Sequence, residues 1–351
     1  MTFSVSVQPS GHQFEVNDDE TVLAAAMRSG IGLAYGCRNG ACGSCKGRVV
    51  EGRVRHDPHQ ASALSADEEA RGFALFCSAH PESDLVIEAR EVRGIGDIPI
   101  KKLPARVAAL TRAAPDVTVL RLQLPAAERL LYLPGQYIEI IMKDGRRRSY
   151  SMAGAPETAD QLELHVRHTP GGAFSDHVFG AGAGAGATPM KERDILRFEG
   201  PFGSFFLRDE SDKPIVFVAS GTGFAPIKAI IEHAALKAID RPMTLYWGGR
   251  RPHDLYRDEI ARGWERALPS FRYVPVVSDA LAEDRWNGRT GFVHRAVMDD
   301  FGDLSAHQVY ACGAPVMVDA ARRDFIGSCG LPEDEFYADA FTTEADLATK
   351  I

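Results

Sequence analysis

No run of apolar residues in the 351-residue chain approaches the roughly eighteen that a membrane helix needs. The unbroken stretch from Val22 to Met27 is far too short, so no membrane role is expected. The first twenty residues hold four carboxylates, Glu15, Asp18, Asp19 and Glu20, and neither lysine nor arginine. A secretory or transit signal is therefore not expected there, and the cytoplasm is the expected compartment. Positive charge is also short: 40 Lys and Arg face 48 Asp and Glu, and the net charge of -8 argues against nucleic acid as a partner. Cysteine is scarce and uneven. Cys37, Cys42, Cys45 and Cys77 gather early, while Cys312 and Cys329 lie far downstream. In a cytosolic chain such clustering points to metal or redox chemistry rather than to disulfides.

What is present is ordinary globular material, 45% apolar and 25% charged, with length for two or three domains at roughly 100–200 residues each. The first ninety residues alternate at Phe3, Val5 and Val7. They then show a helix start at Asp19-Glu20 with a stop at Gly30, a strand near Gly47 to Gly52, a helix near Ala66 to Gly72, and a strand from Leu85 to Ala89. This order predicts a small mixed α+β unit over residues 1–93. Residues 94–104 carry four chain breakers and read as a linker. From 105 to 208 short alternating runs separated by Pro and Gly predict an antiparallel barrel or sandwich: Val117 to Leu124, Tyr137 to Met142, Leu162 to Arg167 and Ile195 to Phe198. The Gly/Ala repeat from Gly180 to Ala187 inside this region follows no strand and does not meet GxGxxG, so it reads as a surface insertion. From 209 to 351 buried strand runs alternate with helical segments, which predicts an α/β domain with a parallel sheet.

The cysteines Cys37, Cys42 and Cys45 stand in the spacing C-x4-C-x2-C with Cys77 downstream, the plant-type [2Fe–2S] arrangement. Four thiolates in a close-wrapping loop suit two irons and two sulfides, and Gly36, Gly40 and Gly43 allow backbone N–H groups to approach sulfur. A zinc site is the competing reading, as are unrelated buried cysteines. Structural zinc usually takes two separated short pairs, and only Cys42 and Cys45 form one. Cys77 rests on distance alone.

With Arg148-Ser149-Tyr150-Ser151, an R-x-Y-[ST] segment, the whole chain resembles the three-domain NAD(P)H-dependent flavoprotein reductases of the ferredoxin–NADP reductase superfamily that carry an N-terminal ferredoxin. The resemblance implies a β-grasp ferredoxin, an antiparallel β-barrel flavin domain and a parallel-sheet nicotinamide domain. It assigns the flavin phosphates to Arg148, the isoalloxazine face to Tyr150, and a hydrogen bond near the reacting flavin nitrogen to Ser151. Taken alone, Tyr150 could be core and Arg146-Arg147-Arg148 a solvated face. A second segment follows the run Leu162 to Arg167, where the family places flavin contacts at His165, Val166, Gly172 and Ser175. Glycine N–H groups suited to a pyrophosphate favour FAD over FMN. His165 and His168 fall on opposite strand faces and do not read as a metal pair.

Gly221-Thr222-Gly223-Phe224-Ala225-Pro226 follows a strand and opens a helix, the setting of a phosphate-binding turn, although Pro226 stands where the full motif has its third glycine. By resemblance it is the nicotinamide-dinucleotide site, joined by Gly248 and Arg250 after the next strand and by Cys312-Gly313-Ala314-Pro315 after a later one, with Cys312 near the nicotinamide. Cys329 has no motif and reads as structural. Asp279 stands where NADPH-selective relatives commonly place arginine. A carboxylate there repels a 2′-phosphate, so NADH is favoured over NADPH, while Arg250 and Arg251 leave a phosphate site open. Phe341 is a candidate flavin-stacking aromatic, with core packing as its alternative.

The expected function is electron transfer from NADH through FAD and a [2Fe–2S] cluster to a protein acceptor. The resemblance points first to a pyridoxamine-phosphate-dependent dehydrase of dideoxysugar synthesis and second to an aromatic-ring oxygenase component. Reduction of free flavin or ferric chelates is a third possibility, and a non-enzymatic carrier a fourth that the nicotinamide site argues against.

Overall fold

The structure is a computed structural model that describes residues 2–158, 161–181 and 189–342. Backbone contacts divide it into two units, one formed by the residues up to Pro99 with those from Asp339 onward, the other by Ile100–Ala338. Most of the Gly/Ala repeat, residues 182–188, lies outside the described residues; Gly180 caps the helix Ala173–Phe179 in the left-handed conformation.

The first unit is built on a five-stranded mixed sheet in the order Gln13–Asn17, Thr2–Gln8, Leu85–Glu88, Lys46–Glu51, Phe73–Leu75. Its first and last long strands, Thr2–Gln8 and Leu85–Glu88, run parallel, and the other long pairings are antiparallel. The helix Val22–Arg28 starts where Thr21 accepts a hydrogen bond from the Ala24 N–H, and it buries Val22, Leu23, Ala25 and Ala26. This is the β-grasp arrangement implied for the ferredoxin.

In the second unit six antiparallel strands follow the order Arg147–Ser151, Tyr137–Ile141, Ile195–Phe202, Lys101–Ala114, Val117–Gln123, Gln161–Arg167. A bridge from Met152 to Leu164, with the Ala153 N–H donating to the Glu163 carbonyl, joins the two outer strands and closes the sheet into a barrel. Alternation along Lys101–Ala114 puts Leu103, Ala105 and Val107 into the barrel core with Leu122, Ile138, Leu164 and Phe198. The expected linker is therefore shorter at its end: Lys101 to Pro104 pair with Gly200 to Arg197. Breaker-rich sequence concealed this strand, because its partner lies more than ninety residues downstream.

The remainder is an open sheet in the order Arg289–Thr290, Phe271–Val277, Met243–Gly249, Ile215–Ser220, Gln308–Gly313, Phe336–Ala340, with parallel pairing through the first five. Ile215 to Ala219 are all buried, as a strand covered on both faces requires. The strand order reverses beside Ile215–Ser220, whose neighbours come later in the chain on both sides. That switch point opens a crevice at the carboxyl ends of Ile215–Ser220 and Gln308–Gly313.

At the opposite edge Arg241 is buried and donates to the carbonyls of Lys213 and Arg208 and to Oε1 of Gln308. Arg241→Met leaves those acceptors unpaired and is expected to cost about 3 kcal/mol or more in urea denaturation. A loss below about 1 kcal/mol would contradict this reading of the sheet's lower edge.

Candidate functional site

The four early cysteines sit in two sulfur pairs. The Cys37 thiol donates a hydrogen bond to the Cys42 sulfur, and the Cys45 thiol donates one to Cys77. The bond from Cys37, with backbone N–H groups of Cys37 and Ser44 and the Ser44 hydroxyl, overcomes burial and brings Cys42 down to about 6. The bond from Cys45, helped by the Gly40 N–H, overcomes burial and lowers Cys77, while Cys37 and Cys45 are raised by the same bonds. The Cys37 N–H lies 3.3 Å from the Cys42 sulfur. A Cβ at Gly36 would stand 3.1 Å from that sulfur, so glycine lets the loop wrap closely. Among the described residues no group of three or more ligands converges on one metal ion. Two thiol pairs, each with backbone N–H donors, are of a kind that would suit a binuclear centre with two thiolates per iron. The loop's residues fit the implied cluster.

The RSYS segment is itself a strand, Arg147–Ser151, opposite Tyr137–Ile141. Arg147 is committed to carboxylates, at 2.9 Å from Glu139 and in contact with Glu199, whereas Arg148 bonds the Arg147 carbonyl at 2.7 Å. Tyr150 meets Phe174 at 5.2 Å between ring centroids, which brings the two proposed flavin segments together. Ser151 is buried at the end of its strand. Gly172 opens the helix Ala173–Phe179, and the Ser175 hydroxyl is spent within that turn, accepting from Thr169 N and facing the carbonyls of Thr169 and Gly172. What this segment offers a ligand is backbone N–H. Val166 likewise has its side chain in the barrel core.

His165 is fully enclosed with both ring nitrogens engaged, Nε2 3.0 Å from Glu163 Oε1 and Nδ1 2.7 Å from the Tyr256 hydroxyl. Burial holds its pKa below the ordinary 6.5 despite the neighbouring Glu163. An ionised Glu163 only accepts, so Nε2 carries the proton and Nδ1 accepts from Tyr256. The imidazole therefore has no nitrogen left for a ligand. His168 Nε2 lies 2.9 Å from Asp176 Oδ1.

At the switch point the GTG turn and the CGAP turn meet. Ser220 Oγ accepts from the Ala314 N–H at 2.9 Å, and a Cβ at Gly223 would stand 2.1 Å from the Cys312 carbonyl oxygen. Gly221 has φ +52 and faces Arg167, whose Nη1 would lie 2.6 Å from an added Cβ. Nε and Nη2 of Arg167 are buried without a hydrogen-bond acceptor, although Asp116 and Asp254 lie 3.1 and 3.6 Å away. Nη1, the guanidinium nitrogen nearest Gly221, brings positive charge to a phosphate-type turn, a placement that fits a dinucleotide's pyrophosphate. Pro226 sits in the first turn of the helix Phe224–Leu236, where no N–H is missed. Cys312 is buried at the end of its strand, and Gly313 lies against Ser220 at φ +134.

Other expected contacts have different surroundings. Gly248 backs onto Val293, since a Cβ there would come 2.8 Å from the valine's, so close helix packing alone demands glycine. The carbonyl of Arg250 accepts from the Asp279 N–H. Arg251 is held by Asp284 through two bonds of 2.6 and 2.7 Å, which removes it from a phosphate role. Cys329 is buried. Phe341 follows the strand Phe336–Ala340 and is half-buried.

Sequence reasoning passed over Arg167, Ser220, Trp247 and Lys228. Trp247 donates from Nε1 to the Gly221 carbonyl at 3.0 Å and lies flat on Phe224 at 3.9 Å, so it braces the GTG turn from below. Lys228 did carry a signal: it is the one cation within Phe224 to Ile231, a run otherwise apolar and wholly buried, and a buried ammonium needs acceptors.

Three family models match the chain: "2Fe-2S iron-sulfur cluster binding domain" over residues 5–82, "Oxidoreductase FAD-binding domain" over 104–207 and "Oxidoreductase NAD-binding domain" over 217–323. The chain is 40% identical over 341 residues to the CDP-6-deoxy-L-threo-D-glycero-4-hexulose-3-dehydrase reductase of Yersinia pseudotuberculosis, covering 97% of this chain and 99% of that protein. It is 36% identical over 345 residues to terephthalate 1,2-dioxygenase reductase component 2 of a Comamonas species, with 98% of each covered. Among solved structures, the Amycolatopsis cytochrome P450 reductase GcoB matches at TM-score 0.77 and 32% identity, over 97% of this chain and 99% of that one. Among the described residues no helix is long and apolar enough to cross a membrane.

Two outcomes follow from this geometry. Cys77→Ser, in a chain that still holds its flavin, is expected to lose most of the cluster's visible absorbance and iron; full retention would remove Cys77 from the ligand set. For His165, the unfolded chain takes up a proton below about pH 6.5 that the folded chain refuses. Its contribution is therefore complete above that pH and is lost as pH falls. In urea denaturation between pH 7 and 5.5, His165→Gln should flatten the decline in stability by up to about 1.4 kcal/mol per pH unit. Parallel slopes for the two proteins would show that the buried imidazole does protonate in place.

Proposed function

The chain belongs to the three-domain iron–sulfur flavoprotein reductases of the ferredoxin–NADP reductase superfamily, and from that premise we propose that it draws electrons from NADH and delivers them to a dehydrase of dideoxysugar synthesis. It is an NAD(P)H-dependent oxidoreductase that serves an electron-accepting protein. Bound FAD supplies the exchange between two-electron and one-electron transfer, and the cluster a one-electron outlet.

The chain's own residues make the sites for this. Cys37, Cys42, Cys45 and Cys77 hold the cluster, with loop N–H groups offsetting its negative charge. Arg148 and the N–H groups of the first helical turn after Gly172 would bind the flavin's phosphates, the Gly172 N–H itself being held by the Thr169 carbonyl. Tyr150 would lie along its ring, and Ser151 would donate at its reacting edge. Gly221, Thr222 and Gly223, with Arg167 behind them, take the pyrophosphate of the nicotinamide dinucleotide, and Cys312 and Gly313 line the place of its nicotinamide. The meeting of the GTG and CGAP turns at the sheet's switch point is the observation that carries this reading.

NADH is preferred over NADPH because Asp279 follows the strand Phe271–Val277 where a 2′-phosphate would lie, and because Arg251 is already bound by Asp284. The acceptor reading rests on similarity along the chain: 40% identity to a hexulose-dehydrase reductase over 97% of its length, against 36% to a dioxygenase reductase. A reductase of CDP-6-deoxy-Δ3,4-glucoseen, acting with a pyridoxamine-phosphate-dependent dehydrase, fits that order.

Flavin reduction should favour NADH over NADPH by about tenfold or more in kcat/KM, and Asp279→Arg should narrow or reverse the ratio. Equal efficiency in the unsubstituted protein would overturn the nicotinamide assignment. Supplied with NADH, the protein should support turnover by a purified sugar dehydrase more strongly than by an aromatic-ring oxygenase. Turnover with the oxygenase alone would make it an oxygenase reductase, and reduction of ferric chelates without response to either would remove the protein acceptor.

A further inference from the structure

Lys228 is buried four residues into the helix Phe224–Leu236, and its ammonium has three acceptors. Two come from the barrel, the Ala153 carbonyl at 3.0 Å and Glu163 Oε1 at 3.3 Å; the third, Glu232 Oε2 at 2.9 Å, is one turn along its own helix. The two barrel acceptors lie where the barrel closes, because the Ala153 N–H donates to the Glu163 carbonyl. Ala153 stands two residues beyond Ser151. Glu163 also fixes His165, which reaches across to Tyr256 in the segment after the strand Met243–Gly249. The barrel and the nicotinamide domain are thus joined through a chain of buried polar groups.

Buried ion pairs of this kind are weak devices for stability, since apolar side chains of similar volume often serve as well or better. Their strength is directional: two of the ammonium's three acceptors belong to the barrel, and the third, Glu232 on the same helix, orients the lysine toward them. That helix begins at the GTG turn, so any slide or rotation of it moves the dinucleotide site relative to the RSYS strand. Trp247 braces the turn against its own sheet, and His233 and Lys237 pair with Glu157 farther along the helix; among the described residues Lys228 is the cation of its first two turns and meets the barrel wall that carries the flavin motif.

We propose that Lys228 is a positioning residue for electron transfer from the nicotinamide: held by Ala153 and Glu163, it sets the approach of the dinucleotide turn to the flavin strand. The proposal rests on the reductase reading above and extends it to a residue outside the cofactor motifs.

The test uses full-length holoprotein carrying FAD and cluster, comparing Lys228→Met, Lys228→Arg and Glu163→Gln with the unsubstituted chain. Four quantities are read under anaerobic conditions: flavin content, half-saturation by NADH, the rate of flavin bleaching, and the long-wavelength charge-transfer absorption between nicotinamide and flavin. Misplacement of reacting groups by about 1 Å can cost on the order of a hundredfold in rate. Lys228→Met is expected to keep FAD and to change NADH half-saturation by less than about threefold, yet to bleach at least about tenfold more slowly with a weakened charge-transfer band. Lys228→Arg should restore most of both, a rescue that generic destabilisation would not produce. Bleaching within about twofold of the unsubstituted chain, with the band intact, would overturn the proposal. Should Lys228→Met not retain FAD, Glu163→Gln decides by the same readings, since it keeps the lysine and its bond to Ala153: a weakened band supports the proposal and an unchanged one overturns it. Failure of the reductase reading looks different, for then the unsubstituted protein itself would show no bleaching by NADH.

Discussion

The chemistry of this chain depends on backbone approaching where no side-chain carbon fits. At the switch point of the parallel sheet the GTG turn comes so near the CGAP strand that a methyl group on Gly223 would stand 2.1 Å from the Cys312 carbonyl oxygen. That contact, with Ser220 tying Ala314, sets the crevice in which a dinucleotide can lie. The cluster loop obeys the same rule at Gly36, beside the Cys42 sulfur. In both places the missing Cβ permits an approach of backbone that any side-chain carbon would block.

Around these turns the second unit spends buried charge on position. Glu163 is pushed up by burial, but the His165 bond and the Lys228 charge win and hold it well below the usual carboxylate range. Glu232, nearby but less well compensated, is raised by burial. Glu163 is thus held charged by two partners at once, His165 and Lys228, whereas Glu232 has Lys228 alone among charged neighbours of opposite sign. Arg167 completes the pattern from the neighbouring strand end, with Nη1 at the turn of Gly221 and its other nitrogens by Asp116 and Asp254. These groups are costly where they lie, and the return is a fixed relation between two domains whose reacting rings have to meet.

Much of the architecture was legible in the residues themselves. Alternation betrayed the barrel strands, an unbroken apolar run betrayed Ile215–Ser220, and spacing alone singled out Cys37, Cys42 and Cys45, though not Cys77. Legibility failed where the deciding partner was distant. Lys101 to Pro104 looked like linker because the strand that pairs with them lies near Arg197. His165 was assigned to the flavin by its motif, whereas its ring is occupied by Glu163 and by Tyr256, ninety-one residues away. Gly248 was read as ligand contact, and its smallness is already explained by Val293 on the facing helix. Local pattern specified elements and turns; the use of each polar atom was set by packing between segments remote in sequence.

The account stands on electrons entering at the nicotinamide site and reaching a cluster held by the four early cysteines. Anaerobic titration of the purified holoprotein with NADH, followed by electron paramagnetic resonance, tests this directly. The account predicts that NADH alone bleaches the flavin and then raises the signal of a reduced [2Fe–2S] centre, one per chain. A protein loaded with iron, sulfide and FAD whose cluster stayed silent to NADH, yet answered a chemical reductant, would contradict it.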